Sequence, residues 1–193
     1  MSTALALARC SHPAPTVAVT LFTLAMALGV AGNARAALIT AAVAAGQLSV
    51  GWSNDWLDRA RDRRVGRRDK PLVTGAVTDA TVGGGAVAAL AACAVLSLAT
   101  GALAGAVHLL AVAFAWSYNL WLKATPASPL PYAAAFALLP AFITLAGPGR
   151  AVAPGWALVA GGLLGAGAHF TNTLADFRED AATGVRGLPH RLG

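Results

Sequence analysis

Six apolar runs, each close to twenty residues, dominate this chain and leave few folds open to it. They lie near positions 15–33, 36–53, 79–100, 102–122, 129–147 and 154–173. Crossing about 30 Å of hydrocarbon takes roughly 20 helical residues, so each run is long enough to span a bilayer. Glycine or proline breaks separate them, at Gly32, Gly101, the Pro126/Pro129/Pro131 stretch and Gly147-Pro148-Gly149. None alternates with period two, which argues against a barrel, and backbone groups in lipid must be satisfied within the segment. The expectation is an all-α membrane protein: one domain over residues 1–193, a multi-helix transmembrane bundle of about six helices. Only 11% of residues are charged and mean hydropathy is +0.64, against about a quarter charged in a soluble domain. Twenty-one glycines suit close helix packing in lipid.

The start of the chain has a second reading. Arg9, the apolar run 17–30 and Ala34-Arg35-Ala36 together resemble a signal peptide with its cleavage site. A second apolar run, 37–50, follows at once and leads into a charged cluster. Six retained spans therefore fit better than a cleaved leader. Cys10 and Cys93 have no metal-type spacing and read as free thiols.

Net charge is +6, but half of the 14 Lys and Arg fall between positions 59 and 70. That concentration marks a topology signal rather than a nucleic-acid surface. With the N-terminus inside, 12 basic residues are cytoplasmic and only Arg35 and Arg150 are outside. The chain then reads as a multi-pass protein of the plasma membrane with both termini inside.

Seven of the eight acidic residues gather after the second and sixth runs. Only Asp79 stands apart, where an acid at a helix N-terminus is a sufficient account. The first cluster carries Asn54, Asp55, Asp58 and Asp62; the second carries Asn172, Asp176 and Asp180. Both contain Asn and two Asp at four-residue intervals, which a helix stacks along one side, and Asp55 is taken to share that face. Carboxylates so close repel each other, by a few tenths of a kcal/mol per pair in water. Oxygen ligands at this density suit Mg²⁺, which prefers a few carboxylates, waters and substrate phosphates to a closed protein cage. Each cluster alone also reads as a solvated helix end paired with nearby arginines. Both fall on the same side of the membrane, although acids played no part in assigning sides.

At these residues the chain resembles the UbiA superfamily of intramembrane prenyltransferases, with its NDxxDxxxD motif after the second helix and DxxxD after the sixth. The first stands here as Asn54-Asp55-x-x-Asp58-x-x-x-Asp62, followed by Arg67, Lys70-Pro71-Leu72 and Gly75; the second as Asp176-x-x-x-Asp180, followed by Gly184 and Leu188-Pro189. Lys70-Pro71 replaces the more usual Arg-Pro, and Tyr118 and Lys123 are similar to the family's Tyr…Lys segment. Family members commonly have nine helices, so the chain is expected to be truncated after the sixth or to complete its bundle with another chain, as an oligomer or with missing C-terminal helices.

The resemblance implies transfer of a prenyl group (an alkyl or aryl group other than methyl) from a polyprenyl diphosphate to an aromatic or other lipophilic acceptor inside the bilayer. It implies Mg²⁺ held by Asn54, Asp55, Asp58, Asp62, Asp176 and Asp180. Arg67, Lys70 and Lys123 would contact the diphosphate, and Asp58, Asp176 and Tyr118 would carry the chemistry. Tyr118 has a second reading as an interfacial belt residue, like Trp116 and Trp121. Arg59, Arg61, Arg63, Arg64 and Arg68 have a competing reading as topology determinants and anionic-lipid contacts, which is preferred for most of them over phosphate contact. His108 and His169 read as neutral, hydrogen-bonded groups, with His169 placed to line the cavity. The alternative function is a catalytically incomplete fragment, or a non-catalytic membrane protein that binds prenyl diphosphate.

Overall fold

The computed structural model describes residues 1–193, and every regular element in it is helical. A short α1 (Thr3–Cys10) precedes α2 (Pro13–Val30), α3 (Asn33–Val65), α4 (Asp79–Ala99), α5 (Ala102–Leu120) and α6 (Pro129–Ala146). The long α7 (Gly155–Ala175) and the short α8 (Phe177–Ala182) and α9 (Leu188–Leu192) complete the chain. Five helices, α2 to α6, are long and apolar enough to cross a membrane. α7 is 21 residues long but less apolar, because its last turns carry His169, Thr171, Asn172 and Thr173. These polar residues approach the second aspartate motif. The protein is thus a multi-pass helical bundle, and leucines such as Leu103 and Leu163 stand on its outer surface.

Consecutive helices pack against each other from α2 through α7, and α2 also touches α6. The principal core joins α2, α3 and α6 through Ala27, Ile39, Val43, Phe142 and Ile143. The second apolar run does not stop at the membrane surface: α3 has 33 residues, about 50 Å at 1.5 Å per residue. About 20 Å therefore extends beyond a hydrocarbon layer of about 30 Å, and the first motif lies on that extension. Gly66 ends α3 in the left-handed conformation, φ 69°, which glycine adopts without steric cost.

Two small residues set the spacing of α6 and α7. A Cβ at Gly161 would sit 2.5 Å from the Phe136 carbonyl oxygen, and one at Gly165 would sit 2.8 Å from Phe136 Cβ. The pair forms a Gly-x-x-x-Gly seam that lets the backbones meet, the arrangement small residues allow in lipid. At the end of the bundle away from the motifs, Arg35 gathers three helices. It lies in the first turn of α3, donates to the Ala146 carbonyl at 2.5 Å, and also donates to the Thr100 carbonyl. These carbonyls close α6 and α4, where helix ends lack intrahelical donors. Arg35→Ala is expected to cost about 2–3 kcal/mol, since hydrogen bonds to charged groups are the stronger kind. Thermal unfolding in detergent, compared with Arg35→Lys as a partial replacement, checks it.

α1 was not foreseen, because Arg9 and the short apolar stretch before it give no span signal. It lies at the motif end. Ala6 and Cys10 pack with Leu72 and Val77 of the loop after α3 and with Val82 of α4. Trp52 donates to the Leu7 carbonyl at 2.9 Å.

Candidate metal and diphosphate site

The i,i+4 spacing on α3 turns Asn54, Asp58 and Asp62 into a cavity of about 450 Å³ bounded by α2, α3, α5, α6 and α7. Tyr118, Lys123, Asp176 and Asp180 line the same cavity, as do Arg67 and Lys70 from the loop after α3. The structure therefore brings together nine of the ten residues singled out from sequence. Away from the motifs the wall becomes apolar, with Val43, Val112 and Leu139.

Asp55 is the exception. Its carboxylate is buried, 2% exposed for the whole residue, and points out of the cavity toward His12 and Lys70. The helix explains this: a one-residue step from Asn54 rotates the side chain by about 100°, so the four groups do not share one face. A helix break also falls inside the second motif. Asp176 is both the last cap of α7 and the first of α8, although the Asp180 amide still donates to the Asp176 carbonyl at 2.9 Å. The two aspartates stay one turn apart although the regular helix is interrupted between α7 and α8.

Each cavity carboxylate has a basic partner. Asp58 receives Lys123 on one oxygen and Arg61 on the other, at 3.0 Å. Arg61 also lies 3.7 Å from Asp62 and 3.4 Å from Asp180, and so ties the first motif to the second. Arg67 makes a two-point contact with Asp69 at 2.9 Å and reaches Asp176 at 3.2 Å. Lys123 and Asp58 are both nearly buried, with side-chain exposures of 12% and 11%. Burial holds the Lys123 ammonium below its ordinary value, opposed by the Asp58 pairing. Burial also raises the Asp180 carboxyl, opposed by Arg61. The Arg67 hydrogen bonds lower Asp69.

From sequence, Arg61 is one of five loop arginines of which most read as topology and lipid contacts; the structure sets it apart from the others. Arg59 and Arg63 do pair with Asp79 outside the cavity, but Arg61 sits between the motifs. The available signal was its spacing, three residues from Asp58 and hence on the same side of α3. Asn119 was missed as well. Its Nδ2 donates to the Val50 carbonyl and to Ser53 Oγ, and its Oδ1 accepts from Asn54 Nδ2 at 3.1 Å. The Asn54 amide nitrogen is committed, so its oxygen remains for a cation. Asn119→Ala is expected to weaken metal-dependent ligand binding about 10-fold, the scale of losing a group that orients a ligand. A titration of Mg²⁺ at fixed ligand concentration measures it.

Tyr118 lines the cavity, with its ring edge-on to Tyr132 at 5.0 Å and to His169 at 5.6 Å. It is not a belt residue. Trp116 also turns inward, donating to Ser49 Oγ at 3.1 Å, whereas Trp121 is exposed. His169 does not line the cavity as expected: it is buried behind the two tyrosines, with Nε2 3.0 Å from Ser128 Oγ. His108 does line it, with Nδ1 2.7 Å from Ser97 Oγ and its ring stacked on Phe142.

No three His, Cys, Asp or Glu side chains converge on one point. The donor set nevertheless fits Mg²⁺, which binds through one or two carboxylates with substrate phosphates and waters completing its shell. Asn54 Oδ1 and the carboxylates of Asp58, Asp62, Asp176 and Asp180 are the oxygens available.

The chain is a multi-pass helical bundle in which both Asn/Asp motifs line one cavity, charged at the motif end and more apolar away from it. The sequence model of the UbiA prenyltransferase family matches residues 15–193, and the chain belongs to that family. Among solved structures, it is similar to a UbiA homolog from Archaeoglobus fulgidus bound to DMAPP and Mg²⁺, with a TM-score of 0.80 and 20% identity. The same homolog bound to GPP and Mg²⁺ gives a TM-score of 0.79 and 23% identity. Each alignment covers 97% of this chain and 69% of the other. No curated protein matches this chain.

Proposed function

We propose that this chain is a Mg²⁺-dependent membrane prenyltransferase that takes a prenyl diphosphate between its two aspartate motifs and transfers the prenyl group to a lipophilic acceptor. The observation that carries this reading is the cavity itself. One end interleaves Asp58, Asp62, Asp176 and Asp180 with Arg61, Arg67, Lys70 and Lys123, and the other end is more apolar, with Val43, Val112 and Leu139 beside Gln47 and His108. A charged diphosphate joined to an isoprenoid tail has that polarity. The solved homolog is bound to DMAPP and Mg²⁺ in one structure and to GPP and Mg²⁺ in the other.

Asn54, Asp58 and Asp62 on one side and Asp176 and Asp180 on the other would hold the cation. When bound, Mg²⁺ supplies Lewis acidity and neutralises charge on the departing diphosphate. Lys123 and Arg67 pair with Asp58 and Asp176 and line the same cavity, so they would be the basic groups within reach of the phosphate oxygens. The prenyl C1–O bond breaks with its electron pair passing to the diphosphate, whose charge these groups stabilise. Tyr118 and Tyr132 line the cavity, and aromatic rings favour nearby positive charge. The apolar part of the wall keeps water from the allylic carbon until the acceptor bonds to it, the acceptor's displaced proton passing to the released diphosphate. The excess of basic residues on loops at the motif end supports a cytoplasmic site in a plasma-membrane protein.

The test is turnover in lipid nanodiscs with labelled geranyl diphosphate, Mg²⁺ and a panel of aromatic acceptors. Metal-dependent release of diphosphate with a prenylated product supports the reading. Metal-dependent binding without product on any acceptor favours the non-catalytic alternative. Absence of both overturns it.

A further inference from the structure

We infer that Asp55 is a positioning residue rather than a metal ligand: its buried carboxylate holds the basic side chains of His12 and Lys70, which line the cavity, in place at the diphosphate end. This rests on the proposed function. One Asp55 oxygen accepts from His12 Nε2 at 3.0 Å and from Lys70 Nζ at 2.6 Å. Asp55 itself stays out of the cavity, but both of its partners line it. A buried carboxylate that is already paired and turned away has no open path to a cation in the cavity. What it does is fix the two donors that face it.

His12 comes from a separate part of the chain. It is the residue between α1 and α2, and its backbone is left-handed, φ 53°. A side chain with a Cβ disfavours that conformation, so it persists where the surroundings impose it. Here they do. Ser11 runs flush against α3, where a Cβ on Gly51 would lie 2.5 Å from the Ser11 carbonyl oxygen. Arg9 donates to the Asp69 carbonyl at 3.1 Å, next to Lys70. Trp52 holds Leu7, and Leu72 and Val77 bury Ala6 and Cys10. Thus α1, the first motif and the loop bearing Lys70 pack as one unit, and its focus is Asp55. α1 delivers a donor to the anion site that neither aspartate motif encodes.

Equilibrium binding of pyrophosphate and geranyl diphosphate to the full chain in nanodiscs, repeated over a series of Mg²⁺ concentrations, tests this. Asp55→Asn keeps the size and removes the charge. It is expected to weaken both ligands about 10-fold, as loss of one charge-assisted contact would, with the Mg²⁺ midpoint unchanged. Asp58→Asn is expected to raise that midpoint. His12→Ala should weaken binding about 3- to 10-fold, with partial rescue by His12→Gln, which retains a donor. Asp55→Asn combined with Lys70→Met should be no weaker than Lys70→Met alone, because coupled partners are not additive. A Mg²⁺ midpoint that shifts in Asp55→Asn as it does in Asp58→Asn overturns the inference. So does wild-type affinity in both Asp55→Asn and His12→Ala. Failure of the wild-type chain to bind either ligand at any Mg²⁺ concentration overturns the proposed function along with it. The His12 variants act at a partly exposed side chain, so they remain informative if Asp55→Asn unfolds.

Discussion

Replacing Asp58 with alanine should weaken metal-dependent prenyl diphosphate binding by at least about 100-fold, roughly 2.7 kcal/mol. Asp58 stands where the site's interactions converge: one oxygen meets Lys123, the other meets Arg61, and Arg61 in turn reaches Asp180 in the second motif. Its removal takes away a cation ligand and leaves the nearly buried Lys123 without its carboxylate, and a buried charge deprived of its partner is strongly destabilising. Asp58→Asn separates the two effects, because it keeps the volume and an oxygen while removing the charge. If its unfolding temperature holds while binding falls, the loss belongs to the site. Asp176→Ala should have a smaller effect, about 10-fold, since that side chain is half exposed and contributes only one of several carboxylates. Direct binding of labelled geranyl diphosphate with and without Mg²⁺ measures both.

The second large effect is expected far from any charge. Gly161→Leu or Gly165→Leu would force α7 off α6, because a Cβ at either position already meets the backbone or Cβ of Tyr132 and Phe136. Overpacking a tight seam costs about 1–3 kcal/mol, and backbone obstacles cannot move aside as side chains can. α7 carries Asn172 and ends at Asp176, so its displacement would also separate the second motif from Arg61 and Arg67. Both the unfolding temperature and diphosphate affinity should fall. Gly167→Ala, in the same helix with open space around its Cβ position, should change neither. Equal behaviour of the Gly165 and Gly167 variants would remove the seam from the account.

The features that sequence conveyed are those with a period. Runs of about twenty apolar residues announced the spans, and four-residue spacing announced Asn54, Asp58 and Asp62 on one side of α3. The features that escaped it depend on single rotations and on tertiary neighbours. Asp55 looked equivalent to Asn54, yet one helical step turned it toward α1 and away from the cavity. Arg61 was indistinguishable from the other arginines of its run until Asp180 was placed beside it. The four-residue spacing suggested one helix under Asp176 and Asp180, whereas the regular helix is interrupted at Asp176. His12 and α1 gave no motif at all, because their role comes from packing onto Gly51, Trp52 and Leu72. Glycine abundance was visible from the start, but which glycines mattered was set by what lay opposite them.

The central claim is that one cavity, assembled from both motifs, holds a prenyl diphosphate through a divalent cation. Equilibrium binding of labelled geranyl diphosphate to the full chain in lipid nanodiscs, with Mg²⁺ and then with excess chelator, tests it most directly. The account predicts saturable binding that the chelator abolishes, that excess pyrophosphate competes away, and that Asp58→Asn and Asp180→Asn each diminish. Binding that persists in chelator and is unchanged in both variants would contradict it.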